Sequence, residues 1–222
     1  MQNGMTILEQ RRVLVVDDHP ILREGLRGLI DQQADLVVCG EAGTVDNALR
    51  LVRETNPDAM IVDISLGKES GLDLIQKTRE LAPALAILVL SMHDEMIYAE
   101  RALRSGAGGY VMKQEATAQV ITALRCVIDG RMFVSPAVTE RLLNTLARPA
   151  SSRPNYSVDR LTNRELEVFR LIGTGVTSAE IANHLHISRK TVETHRTRIK
   201  EKLGAATAAE LVIQAATWLR DG

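Results

Sequence analysis

Between residues 12 and 129, short apolar runs alternate with stretches of helical period, and this alternation constrains the fold more than any other feature of the chain. The runs cover residues 12–16, 36–39, 59–62, 86–90 and 110–111. They are rich in Val, Ile and Leu and bounded by turn signals, as fully buried strands are. The stretches between them read as helices over residues 20–32, 44–55, 72–81, 96–104 and 117–129. In 44–55 the apolar positions 45, 48, 49 and 52 share one helical face, with Thr44 placed as the N-cap. Gly106 and Gly130 stand where helices end. Five strands alternating with helices predict a parallel sheet covered on both faces.

The predicted strands end on groups with chemistry. The first runs into Asp17-Asp18-His19-Pro20, the third into Asp63, the fourth into Ser91, and the fifth nearly into Lys113. In an open α/β sheet these ends share the carboxyl edge, where ligands bind. Adjacent ionised carboxylates repel each other and call for a cation or a basic side chain. Asp63 can serve as a nucleophile toward phosphorus, its neighbouring acids can hold a divalent cation, and Ser91 and Lys113 can contact phosphoryl oxygens. Each residue has a blander use as a helix cap, a strand terminus or a solvated lysine. Convergence on one edge makes that combination the poorer account.

Bulk composition excludes little, since the formal net charge is −1. Residues 1–147 carry 15 Lys/Arg against 20 Asp/Glu, whereas residues 158–222 carry 10 against 8, so an acidic half precedes a mildly basic one. Cys39 and Cys126 lie far apart in apolar-periodic stretches and read as reduced thiols of a cytoplasmic protein. No apolar stretch approaches a membrane span, and no secretory leader is evident.

Residues 11–131 resemble a response-regulator receiver domain. The matching features are the acid pair, Asp63 with Gly71 eight residues on, Ser91 and Lys113, in that order. The resemblance implies a flavodoxin-like, doubly wound, five-stranded parallel sheet. It also implies that a sensor histidine kinase phosphorylates Asp63, with Ser91 and Lys113 contacting the phosphoryl group. Asp17 or Asp18, Asp63 and the backbone carbonyl of Ser65 would hold Mg²⁺, and Ser91 and Tyr110 would form the switch pair. The sequence departs from the family at Leu66-Gly67, which suggests a more mobile loop after the acceptor. It departs again at Gln114, where a proline is common, and at Met92, which is expected to narrow access to Asp63.

Residues 136–146 read as a further helix capped by Ser135, and the Pro/Ser-rich stretch 148–157 as a linker. Thr162 and Glu165 then form a capping box ahead of a helix closed by Gly173 and Gly175. A second helix begins at Ser178, His186-Ile187 makes a tight corner, and Ser188 caps a third helix ended by Gly204. Two helices joined by such a corner are a helix-turn-helix, whose second helix enters the major groove. Residues 188–203 hold six Lys/Arg against two acids.

This half, within 158–222, resembles the LuxR-type helix-turn-helix of the NarL/FixJ regulators. The matching residues are Leu161-Thr162, Arg164-Glu165, Gly175, Glu180-Ile181-Ala182, Leu185, Ile187-Ser188, Lys190-Thr191-Val192-Glu193, His195 and Lys202-Leu203. The resemblance implies double-stranded DNA as partner, with Glu193, Thr194 and Thr197 facing base edges. Lys190, Arg196, Arg198 and Lys200 are the candidates for phosphates, which position without reading sequence. Leu211, Ala215 and Trp218 form an apolar stripe on the last helix; the resemblance implies a dimer contact there, the plainer use is the small domain's own core, and the two are compatible.

The whole reads as a cytoplasmic transcription regulator with no enzymatic activity of its own. It divides into a receiver at 11–131, a helix and linker at 132–157, and a small all-α DNA-binding domain at 158–222. It is expected to form a homodimer when phosphorylated and to meet RNA polymerase at its promoters. Two rivals remain: an aspartyl-phosphate enzyme such as a phosphatase, and a receiver acting only through protein contacts. Against the first, the position two residues beyond Asp63 is Ser65 rather than a second acid.

Overall fold

The apolar runs pair as their composition predicts. In the computed structural model, which describes residues 10–67, 69–147 and 158–221, the chain divides into two compact units, Met1–Leu142 and Leu143–Gly222. In the first unit β1 (Arg11–Val16), β2 (Leu36–Ala42) and β3 (Ala59–Val62) are followed by a small hairpin, β4 (Ser65–Leu66) and β5 (Glu69–Ser70). The sheet is completed by β6 (Ala86–Ser91) and β7 (Gly109–Met112). Its order is β2-β1-β3-β6-β7, every pairing parallel. Such strands need crossover connections, supplied by α1 (Pro20–Asp31), α2 (Val45–Thr55), α3 (Gly71–Leu81) and α4 (Glu95–Ser105). After β7 come α5 (Ala116–Ile128) and α6 (Pro136–Ala147).

Both faces of the sheet are buried. Val13, Val15, Ile61, Leu88 and Leu90 pack with Leu26 and Ile30 of α1 and with Val120, Ala123 and Leu124 of α5. The alternate residues Leu14, Val16, Met60, Val62, Ile87 and Val89 are equally buried. Because chain order reverses direction at β1, the ends of β1 and β3 meet at the switch point of the sheet. The register of β1 on β2 slips once: Val13 faces Val38 but Leu14 faces Gly40, leaving Cys39 as a bulge.

The caps follow sequence chemistry. Thr44 accepts the Asn47 N–H at the start of α2, and Ser135 accepts the Val138 N–H at the start of α6. Gly106 and Gly130 take the left-handed conformation that helix ends favour. Two features have no counterpart in the sequence pattern. The stretch after Asp63 is the β4–β5 hairpin, and the Gly67 N–H donates to Asp18 Oδ2 at 3.0 Å. Beyond residue 131 the chain adds to the sheet: Phe133 N–H donates to the Gly108 carbonyl, and Tyr110 N–H donates to that of Phe133. Val138 is buried, and Ser135 Oγ donates to Glu95 at the start of α4. The linker expected over 148–157 lies outside the described residues. Cys39 and Cys126 are free and half-buried.

In the second unit α7 (Asn163–Gly173), α8 (Ser178–His184), α9 (Arg189–Leu203) and α10 (Ala208–Asp221) pack around Leu166, Phe169, Ile181, Val192, Ile199 and Leu211. The capping box at Thr162 and Glu165 forms, and a second one, not anticipated from the sequence, joins Thr177 and Glu180. His186 adopts φ 51° at the corner between α8 and α9. Gly173 lets α7 and α10 approach: a Cβ there would lie 2.7 Å from the Ala215 carbonyl oxygen. Among the described residues no helix is long and apolar enough to cross a membrane.

Candidate functional sites

β1 and β3 deliver Asp17 and Asp63 side by side, and the turn after β7 swings Lys113 between them. Lys113 Nζ lies 2.6 Å from Asp63 Oδ2 and 2.7 Å from Asp17 Oδ2. All three side chains are nearly inaccessible to water, at 7%, 4% and 2% exposure respectively, so their charges interact with little screening. Burial pushes the Asp63 carboxyl up from 3.8 to about 6, against the downward pull of the Lys113 ammonium. Burial also works against the Lys113 charge, but Asp63 and Asp17 outweigh it and hold the ammonium above its ordinary range. Asp18 and His19 complete the cluster: one ligand atom from each of Asp17, Asp18, His19 and Asp63 falls within 4.8 Å of the others.

The approach to Asp63 depends on Gly71. Its N–H donates to the Ile64 carbonyl at 2.7 Å, and a Cβ at residue 71 would sit 1.9 Å from the Asp63 carbonyl oxygen. That contact gives the Asp63-to-Gly71 spacing a physical reason: the hairpin returns against the backbone of Asp63.

Ser91 and Tyr110 are both buried, hydrogen-bond each other through their side chains and are also bridged by residue 93. Ser91 Oγ accepts the His93 N–H at 3.1 Å, while the Tyr110 hydroxyl donates to the His93 carbonyl at 2.8 Å. The His93 ring stacks at 4.7 Å on Tyr98, and its Nε2 lies 2.8 Å from Ser65 Oγ. His93 thus links the residues after β3 and β6, a role with no signal in the sequence beyond its place two residues after Ser91. Met92 turns to solvent, 60% exposed.

The second site is the outer surface of α9. Ser188 caps this helix by accepting the Thr191 N–H at 3.0 Å, and Val192, Ile199 and Leu203 anchor its inner face. Lys190, Glu193, Thr194, Thr197 and Arg198 are exposed, and the two threonines are oriented by bonds to the Lys190 and Glu193 carbonyls. Arg196 and Lys200 are only half-exposed. Arg196, at 18% exposure, lies 3.8 Å from Glu193 and is more covered than the exposed Lys190 and Arg198. The corner ahead of α9 is held from behind. Arg164 Nη2 donates to the Leu185 carbonyl and Nη1 to Glu167, both at 2.6 Å, while Lys202 reaches Glu165 at 2.6 Å. Burial, with the Arg164 charge next, keeps the His195 imidazole below its ordinary pKa and so neutral at physiological pH. The stripe on α10 belongs to the unit's own core: Leu211 and Ala215 are buried, and Trp218 meets Phe169 at 5.6 Å.

Comparison with known proteins assigns both halves. Residues 13–125 match the response regulator receiver domain, and residues 159–215 match the bacterial regulatory proteins of the luxR family. The chain is 34% identical over 208 residues to the transcriptional regulatory protein MctR of Rhizobium johnstonii, covering 94% of each. It is similar to RcsB of Salmonella enterica serovar Typhimurium, solved bound to the promoter rprA with phosphomimetic BeF3⁻ (TM-score 0.58, 27% identity, 94% of this chain and 99% of that one). A structure of two RcsB dimers bound to two parallel DNAs matches with TM-score 0.56 and 28% identity over 92% of this chain and 96% of that one.

Proposed function

The chain belongs to the two-component response regulators that join a receiver domain to a luxR-type DNA-binding domain, and we propose that its control step is phosphoryl transfer from a sensor histidine kinase to Asp63. The observation that supports this most is the placing of Lys113 Nζ within 2.7 Å of both Asp63 and Asp17 at the sheet's switch point. An Asp63 carboxylate oxygen attacks the phosphorus of the kinase's phosphohistidine. The new P–O bond forms as the P–N bond breaks, and the departing imidazole takes a proton from solvent.

The acids fit a hard divalent cation, since Asp17, Asp18 and Asp63 offer converging oxygens. With the Ser65 carbonyl they would hold Mg²⁺, which neutralises charge on the phosphoryl oxygens. Lys113 moves its ammonium from carboxylate to phosphoryl oxygen. Ser91 Oγ accepts the His93 N–H and bonds the Tyr110 side chain, and its hydroxyl turns to donate to the phosphoryl group once that group is present. The pull on Ser91 reaches Tyr110 through the His93 carbonyl, which makes this the switch pair.

Downstream, the exposed face of α9 reads DNA, with Glu193, Thr194 and Thr197 at base edges and Lys190 and Arg198 on phosphates. We place the protein in the cytoplasm, acting as a phosphorylation-dependent homodimer on RNA polymerase at its promoters. The RcsB dimers on DNA support that assembly. Incubation with a small phosphodonor and Mg²⁺ is expected to give an acid-stable, base-labile acyl phosphate and tighter binding to genomic fragments. Both should be absent in Asp63→Asn, and label persisting on that variant would refute the assignment.

A further inference from the structure

Arg23 has no part in the chemistry above, yet its guanidinium reaches back from α1 to the acid pair. Its Nη1 donates to the Asp17 backbone carbonyl at 2.6 Å. The side chain is largely buried, 19% exposed, and its Nε lies 3.4 Å from Glu41 Oε2, an ion pair without a hydrogen bond. Glu41 in turn accepts from Arg27 Nε at 2.5 Å, so one carboxylate holds two arginines of α1.

The bulge at Cys39 explains why Glu41 is there at all. Leu36 and Val38 point to the α1 face of the sheet, as does Val13 beside Val38. Strict alternation would send Gly40 and Ala42 to that face and Glu41 to the other. One extra residue reverses the parity, so Glu41 pairs with Val15, whose side chain packs in the α1 cluster. The bulge thus aims a carboxylate at the arginine that grips the end of β1.

We infer that Arg23, paired in charge with Glu41, is a positioning residue that fixes the β1–α1 turn and so presents Asp17 and Asp18 to a divalent cation. This rests on the cation-dependent phosphoryl transfer proposed above. Two effects of the guanidinium oppose each other. As a positive charge beside the acids it repels a cation; as an anchor on the Asp17 carbonyl it pre-orders the ligands. The anchor dominates, because supporting residues behind metal ligands commonly govern affinity.

The test is calorimetric titration of the full chain with MgCl₂, with amide hydrogen exchange at Asp18 and His19. Arg23→Met keeps the bulk of the side chain but loses the charge and the donor. It is expected to bind Mg²⁺ about tenfold more weakly and to exchange those amides faster. Arg23→Lys restores the charge without the planar fork, so it should fall between Arg23→Met and the wild type. Glu41→Gln, which leaves Arg23 in place but loosely held, should weaken binding in the same direction and serves if Arg23→Met does not fold. Unchanged or tighter binding in Arg23→Met, or unchanged binding in Glu41→Gln, would overturn the inference while leaving the acceptor assignment intact. A wild-type chain indifferent to Mg²⁺ would overturn the cation reading and this inference with it.

Discussion

Asp63 should be a burden on the fold that its function requires. Its carboxyl titrates at about 6 in the folded chain, against 3.8 when unperturbed, because burial outweighs the Lys113 ammonium 2.6 Å away. A raised acid favours the native state only while protonated. Its contribution is fully present below the unfolded value near 3.8 and is lost as pH rises through about 6. The gap, at 1.36 kcal/mol per pH unit, corresponds to about 3 kcal/mol withheld from stability above neutrality. An asparagine side chain in this place is neutral at every pH, so Asp63→Asn is expected to stabilise the receiver unit by about 1–3 kcal/mol at about pH 8 with divalent cations chelated. The gain should shrink toward zero as pH falls to about 4. Urea unfolding of the full chain followed by far-UV circular dichroism measures it. Fluorescence of Trp218, which packs on Phe169 in the second unit, separates that unit's transition. Mg²⁺ should stabilise the wild type and leave the variant nearly unmoved, since a ligand stabilises only the state that binds it. A variant equal to or less stable than wild type at the higher pH would refute the reasoning. It would mean that the pairing with Lys113 outweighs the burial of Asp63.

Ser91→Ala and Lys113→Ala should each accept phosphate on Asp63 yet lose most of the phosphorylation-dependent gain in DNA affinity, as read by gel shift with and without phosphodonor. Lys190→Ala should weaken DNA binding evenly across sequences and lower the salt-dependence slope by about 1. Arg196→Ala should change that slope less, because its side chain is mostly covered. Gly71→Ala should slow phosphorylation and destabilise the receiver unit by more than about 2 kcal/mol, because the new methyl would meet the Asp63 carbonyl oxygen. Denaturation and phosphodonor kinetics check both effects.

The cluster around Asp63 was legible because its residues are strand ends. Four apolar runs put Asp17, Asp63, Ser91 and Lys113 on one edge without any knowledge of strand order. Caps were legible for the same local reason: Thr44, Ser135, Thr162 and Ser188 each satisfy an amide close in sequence. What escaped depends on parity or partners far along the chain. A single bulge at Cys39 decides which face Glu41 takes, and apolar pattern alone does not show where a strand gains a residue. His93 became visible only once the ends of β3 and β6 stood together. Arg196 matches Lys190 and Arg198 in charge, and only the folded structure shows it to be more covered than they are. Part of the α10 stripe packs in the unit's own core, where Gly173 admits Ala215 at close range, a contact that helical period alone does not reveal.

The pairing of Phe133 with Gly108 and Tyr110 bears on how this protein can be divided. β7 is an outer strand of the sheet, and an uncovered outer strand is a template for another chain. Phe133 caps part of that margin, and its carbonyl lies where a side chain on Gly109 would have to go. A fragment ended at Arg131, where the family resemblance in the sequence places the receiver's boundary, would shed this cover and bare the Tyr110 amide. Such a truncated receiver should associate through its own sheet margin. Dimers seen with it would then report on the cut, whereas a fragment carried to Leu142 would keep its margin shielded.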